Sequence, residues 1–225
     1  MASALNPSGE MTGRVSVGAS ALLLESRVGS LIRDCRYRYP KVQVSPRQLV
    51  ISQARESVRD RETDLALVHG DFSATPESLS NGIVVEELPP LEVVPVSAIS
   101  LANATDRAKA LSSIRVLAVD PDCASHQVLV TALRELYGID PPVIEAGSVG
   151  GARELARSGY GIAMLPAESV RPAEQSSGLA VIAGLPRVRL SVRALWTGRD
   201  TAMSAVAAVC DVAARIGREQ ARQMA

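Results

Sequence analysis

A chain of 225 residues with a formal net charge of zero can bury roughly 70–75% of its unfolded surface without disulfide or metal support, and it presents no overall field that favours nucleic acid or anionic membrane. Aromatic residues make up only 3%, which argues against a base-stacking surface or a sugar platform, while 47% hydrophobic against 21% charged residues excludes a largely disordered chain. Its three cysteines, Cys35, Cys123 and Cys210, are odd in number and lack paired metal-ligand spacing, which fits a reducing cytoplasm.

The first thirteen residues carry no positive charge and the apolar run Ala21 to Leu24 stops at Glu25, so no signal peptide is expected, and no window reaches the roughly 18–20 apolar residues of a membrane span. Met1 to Thr12 reads as a leader or linker remnant. Arg14 to Ala19 alternates as a strand, and Gly18-Ala19-Ser20 turns into a helix with Leu24, Val28, Leu31, Ile32 and Cys35 on one face, ended by Pro40. Val42 to Val50 is the next strand, interrupted or bent near Pro46. Ser52 is placed to cap a helix holding Ala54 and Val58, and Asp64 to Val68 closes the unit. Such a β-α-β-α-β run of apolar strands suits a parallel sheet covered on both faces.

After the turn-rich Gly70 to Asn81, strands Ile83 to Leu88 and Leu91 to Val96 flank Pro89-Pro90, a pattern that suggests a crossover. The first pattern then repeats: strand Ile114 to Val119, a cap at Ser125, helix Val128 to Tyr137 stopped by Gly138, strand Val143 to Glu145, a helix from Ser148 stopped by Gly159, and strand Ile162 to Leu165. Leu179 to Ile182 and Leu190 to Trp196 are two further strands. Thr201 to about Arg222 is a final helix with Ala205, Val209, Val212, Ala213 and Ile216 inward, and Arg215, Arg218 and Arg222 on a solvated side. Cys35 and Cys210 continue apolar spacings and read as core.

Four serines, Ser20, Ser52, Ser125 and Ser148, stand at predicted helix starts, two in each half. Any one of them can be a plain cap. Together, two α/β halves facing each other across a crossover would point several helix N-termini into one cleft, suited to a small anion such as a carboxylate. His69 follows the DLALV strand and can reach that cleft. Cys123 and His126 lie close together in DCASH, where a metal would need two further ligands that the sequence does not provide, so the segment reads as a loop. No cofactor motif is found: Gly159-Tyr160-Gly161 falls between helix and strand, the wrong order for a dinucleotide fingerprint, and no P-loop is present. An esterase reading of Ser148 as a nucleophile elbow fails because both histidines precede it in the chain. No coupled acid, base and nucleophile emerges, so no enzyme is expected.

GRVSVGAS at the start, the helix ending RYRYPKVQV, the DLALV strand and the stretch ARELARSGYGIAMLP together resemble the effector-binding domain of LysR-type transcriptional regulators, from Gly13 to about Ile216. The resemblance implies a type 2 periplasmic-binding-protein-like α/β fold, two Rossmann-like lobes joined by two crossover strands with an effector in the cleft. On this reading residues 13–88 and 192–225 form lobe I and 89–191 form lobe II. It further implies that Ser20, Ala21, Ser52, His69, Cys123, Ser125 and Ser148 touch the effector, and that the domain works as a homodimer or tetramer. Members carry an N-terminal winged helix-turn-helix that binds DNA, so this chain is expected to be a truncated form or a stand-alone sensor that binds no operator by itself. A histidine where many members carry a permanent cation weakens the case for a doubly charged effector. The competing expectation is a solute-binding protein that serves a transporter.

Overall fold

The structure is a computed structural model that describes residues 11–70, 82–98, 100, 107–119, 125–170, 178–197 and 205–223. It divides into two compact units, Met1–Leu91 with Ser191–Ala225, and Glu92–Leu190. The chain passes between them twice, once within strand β4 (Ile83–Ala98) and once within β9 (Val188–Thr197). The predicted pair of strands around Pro89-Pro90 is therefore one strand of 16 residues, continuous through both prolines.

In the first unit β1 (Gly13–Ala19) lies between β2 (Val42–Gln48) and β3 (Leu65–His69), parallel to both, and β3 continues antiparallel to β9. β2 is the outer strand of this order and runs through Pro46 without interruption, as an edge strand can, since a missing N–H is tolerated where no neighbour needs it. The Asp64 carboxylate accepts from the Ser16 N–H at 2.7 Å and pins the entry of β3 to β1. Helix α2 (Ala54–Arg59) packs Ala54 and Val58 onto Ala66, Val68 and Leu195, one face of this sheet.

The first helix departs from simple 3.6-residue periodicity. A single α-turn, Ala21–Leu23, opens into a π-turn, Leu24–Val28, before the α-helix α1 (Gly29–Arg38). The wide turn inserts one extra residue, so the buried positions are Leu22, Leu23, Arg27, Val28, Leu31 and Cys35, and the predicted Leu24 is only half-buried. Ser26 Oγ donates to Leu22 O at 2.6 Å, and Gln220 Nε2 to Ser26 O at 3.2 Å.

The second unit repeats the arrangement. β5 (Val116–Ala118) lies between β6 (Val143–Glu145) and β7 (Ile162–Pro166), parallel to both, and β7 is followed by antiparallel β4, which also pairs β8 (Leu179–Val181). The order β6-β5-β7-β4 thus mirrors β2-β1-β3-β9, and the repeat read from the sequence is a repeat of topology. The short helix α3 (Arg107–Leu111), before β5, has no counterpart among the predicted elements. α4 (Ser125–Tyr137) joins β5 to β6, and α5 (Val149–Arg157) joins β6 to β7. α5 buries Val149, Ala152 and Ala156, and ends as predicted at Gly159. There Gly159 N–H bonds Ala156 O and Tyr160 N–H bonds Leu155 O, both at 3.0 Å, the paired bonds of a Schellman stop.

The last helix, α6 (Ala205–Gln223), returns to the first unit with all five predicted inward residues buried. Arg215 is half-buried rather than fully solvated: its guanidinium bridges Asp34 of α1 and Glu219, each at 2.7 Å. Cys35 and Cys210 are buried as expected.

Two adjacent glycines open α5, and they should respond oppositely to a methyl group. A Cβ on Gly151 would lie 2.5 Å from Ala146 O, whereas one on Gly150 meets nothing within 4 Å. Gly151→Ala is expected to destabilise by about 1–3 kcal/mol, the usual cost of overpacking. Gly150→Ala is expected to be neutral or stabilising by up to about 1 kcal/mol, from helix propensity. Urea denaturation of both variants checks this.

Candidate functional site

Parallel strands joined by helices deliver their carboxyl ends, and the helix starts that follow, to one edge of a sheet, where open α/β folds take ligands. In the first unit that edge carries Ser20, directly after β1, and His69, the last residue of β3. Ser20 N–H donates to Leu67 O at 3.1 Å, and its carbonyl accepts the first helical bond, from Leu24 N–H at 2.8 Å. The residue has the extended backbone of an N-cap, yet its side chain caps nothing. Ser20 Oγ is hydrogen-bonded to His69 Nδ1 at 2.7 Å, and both residues are buried. Ala21, next in the chain, is half-buried at the helix start.

Burial pushes the His69 imidazole down to about 4. The ring is thus neutral at pH 7, so the pair is a neutral hydroxyl–imidazole couple that can give and take hydrogen bonds without a fixed charge. A base this weak is poorly matched to proton abstraction at neutral pH. The sequence showed no coupled serine and histidine. The signal was there in the topology: the ends of β1 and β3 become neighbours once the strand order 2-1-3 is known.

The other candidates are placed differently. Ser52 does not cap a helix. It is exposed within a single 3-10 turn, Ile51–Gln53, that leads into α2, and the extended residue before the turn is Val50. In the second unit Ser125 is buried as the first residue of α4. Ser148 is an exposed N-cap whose Oγ accepts from Gly151 N–H at 2.9 Å, as its spacing predicted, and keeps its own proton to donate. Cys123 lies outside the described residues. His126, half-buried in α4, has an enclosed Nδ1 with no hydrogen-bond partner among the described residues. No group of three or more His, Cys, Asp or Glu among the described residues is placed to hold a metal ion.

Two open pockets lie in the first unit. One, of about 250 Å³, runs between α1 and β2 past Ile32, Arg36, Lys41 and Val44. The other, of about 530 Å³, adjoins Gln48, Val50, Gln53 and Glu56, beside the turn that holds Ser52. Neither is lined by Ser20 or His69.

The family model for the LysR substrate binding domain matches residues 8–216. The chain belongs to this family. Its fold is the type 2 periplasmic-binding-protein-like α/β fold of these regulatory domains. The regulatory domain of a single-residue variant of OxyR2 from Vibrio vulnificus superposes with a TM-score of 0.72 at 14% identity, over 92% of this chain and 96% of that one. ArgP from Mycobacterium tuberculosis gives 0.70 at 15%, over 94% and 69%. The regulatory domain of HypT from Salmonella typhimurium, bromide ion-bound, gives 0.68 at 15%, over 92% and 96%. No curated protein sequence matches the chain. No helix among the described residues is long and apolar enough to cross a membrane.

The buried imidazole gives this LysR substrate binding domain an acid sensitivity. Unfolded, His69 titrates near 6.5; folded, near 4. The unfolded chain therefore takes up a proton first, and the stability present above pH 6.5 is lost as pH falls toward 4, by an amount on the order of 3 kcal/mol. Denaturant midpoints across that window should fall in the wild type and flatten in His69→Asn.

Proposed function

We propose that the chain is the effector-sensing domain of a LysR-type transcriptional regulator, taking a small anionic metabolite at Ser20, Ala21 and His69. Ser52, together with Cys123, Ser125 and Ser148 of the second unit, are the further contacts on this reading. The Ser20–His69 contact at the carboxyl ends of β1 and β3 carries it. It brings together, at the start of a helical segment, two polar side chains that sequence spacing separates by 49 positions.

A helix start offers unpaired N–H groups and a positive dipole end, which favour an anion. A neutral imidazole adds hydrogen bonding without a second charge, which favours a monoanion over a doubly charged effector. The bromide held by the HypT domain accords with an anion. For an effector of about 10 non-hydrogen atoms, at roughly 0.3–1 kcal/mol each, micromolar to millimolar affinity follows. To signal, the effector must bind one arrangement of the domain better than another, since equal affinity shifts nothing. The output is a change in dimer or tetramer geometry, passed to a DNA-binding domain in the cytoplasm.

A thermal-shift screen of organic acids, amino acids and aromatic metabolites, followed by calorimetry of the best hit, tests the reading. Ser20→Ala should weaken binding about tenfold, the effect of one lost hydrogen bond in a buried site. Unchanged affinity in both Ser20→Ala and Ser148→Ala would remove the site from these residues.

A further inference from the structure

Arg27 is a cation in an unusual place. It is 3% exposed, inside the π-turn, and its guanidinium donates to two successive carbonyls, Nη1 to Pro89 O at 2.7 Å and Nη2 to Pro90 O at 2.8 Å. These prolines stand in β4 immediately before the point where the chain leaves the first unit, between Leu91 and Glu92. One planar fork thus holds two successive carbonyls of the strand. Two fixed φ angles stiffen the strand at the same place.

The opposite side of the clamp is closed by α6. A Cβ added to Gly217 would lie 3.0 Å from Pro89 Cβ and 3.1 Å from Arg27 Nη1, so a methyl group there would press on the diproline and the guanidinium, which would have to give by a few tenths of an ångström. The π-turn that carries Arg27 is tied to the same helix by the bond from Gln220 Nε2 to Ser26 O. Turn, diproline and last helix are thereby locked at one point, and all three belong to the first unit.

We propose that Arg27 is the anchor of the first crossover strand: it fixes β4 to the first unit up to Pro90 and confines bending of the strand to the residues beyond. This goes beyond the effector reading and does not depend on it. A lysine keeps the charge but loses the planar fork, and so separates gripping two carbonyls from merely neutralising them.

Hydrogen exchange followed by mass spectrometry on the whole chain reads the anchor directly. In Arg27→Lys the amides of Leu88, Leu91 and Glu92 should exchange about tenfold faster, the loss of one charge-assisted hydrogen bond, while Val15, Val17 and Leu67 of the β1–β3 sheet keep their protection. Gly217→Ala, which presses on the clamp without altering charge, should raise exchange at the same amides. Exchange at Leu88, Leu91 and Glu92 that is unchanged in Arg27→Lys, or that rises equally in β1 and β3, would overturn the proposal. The first outcome means that nothing is gripped, the second that Arg27 serves only global stability.

Discussion

Two parallel strands cannot be joined by a tight turn; the chain must cross back over the sheet, and the crossover packs as a helix. Almost everything of functional interest in this molecule follows from that constraint. Each crossover starts where a strand ends, so Ser20 after β1 and Ser148 after β6 stand with helix starts at the carboxyl ends of parallel strands. The 2-1-3 order then makes neighbours of β1 and β3. Ser20 meets His69 for that reason, not because the two are close in sequence.

The chemistry of that pair is set by what surrounds it. An imidazole on the surface would be partly protonated near neutrality, and would draw anions by charge. Buried against a hydroxyl, it is held neutral. A neutral pair of this kind offers directed hydrogen bonds in place of a charge.

Periodicity made most of the architecture legible. The strand runs around Val15, Leu67 and Ala163 and the inward stripe of α6 are all where apolar spacing places them, because burial is a property that single positions carry. Ser148 and Gly159 were legible for a related reason, since caps and stops depend on local backbone geometry. What failed were features decided by distant partners. The π-turn depends on Ser26 and Gln220 taking up carbonyls that a wide turn leaves open, and Gln220 is 194 positions away. β4 runs through two prolines whose carbonyls are taken up by Arg27, 62 and 63 positions earlier in the chain. Arg215 looked solvent-facing from its helix alone, and only the packing of α6 on α1 reveals Asp34 opposite. Ser52 misled because a serine before an apolar run signals a cap, while the chain enters α2 through a 3-10 turn instead.

The two cysteines of the first unit's core have a consequence for how this domain meets oxidants. A thiol reacts as its thiolate, and burial pushes Cys35 up to about 11 and Cys210, beside Glu86, higher still. At cellular pH both remain protonated and shielded by the packing of α1 and α6. They are chemically silent positions: peroxide or disulfide exchange would have to unfold part of the domain before reaching either sulfur.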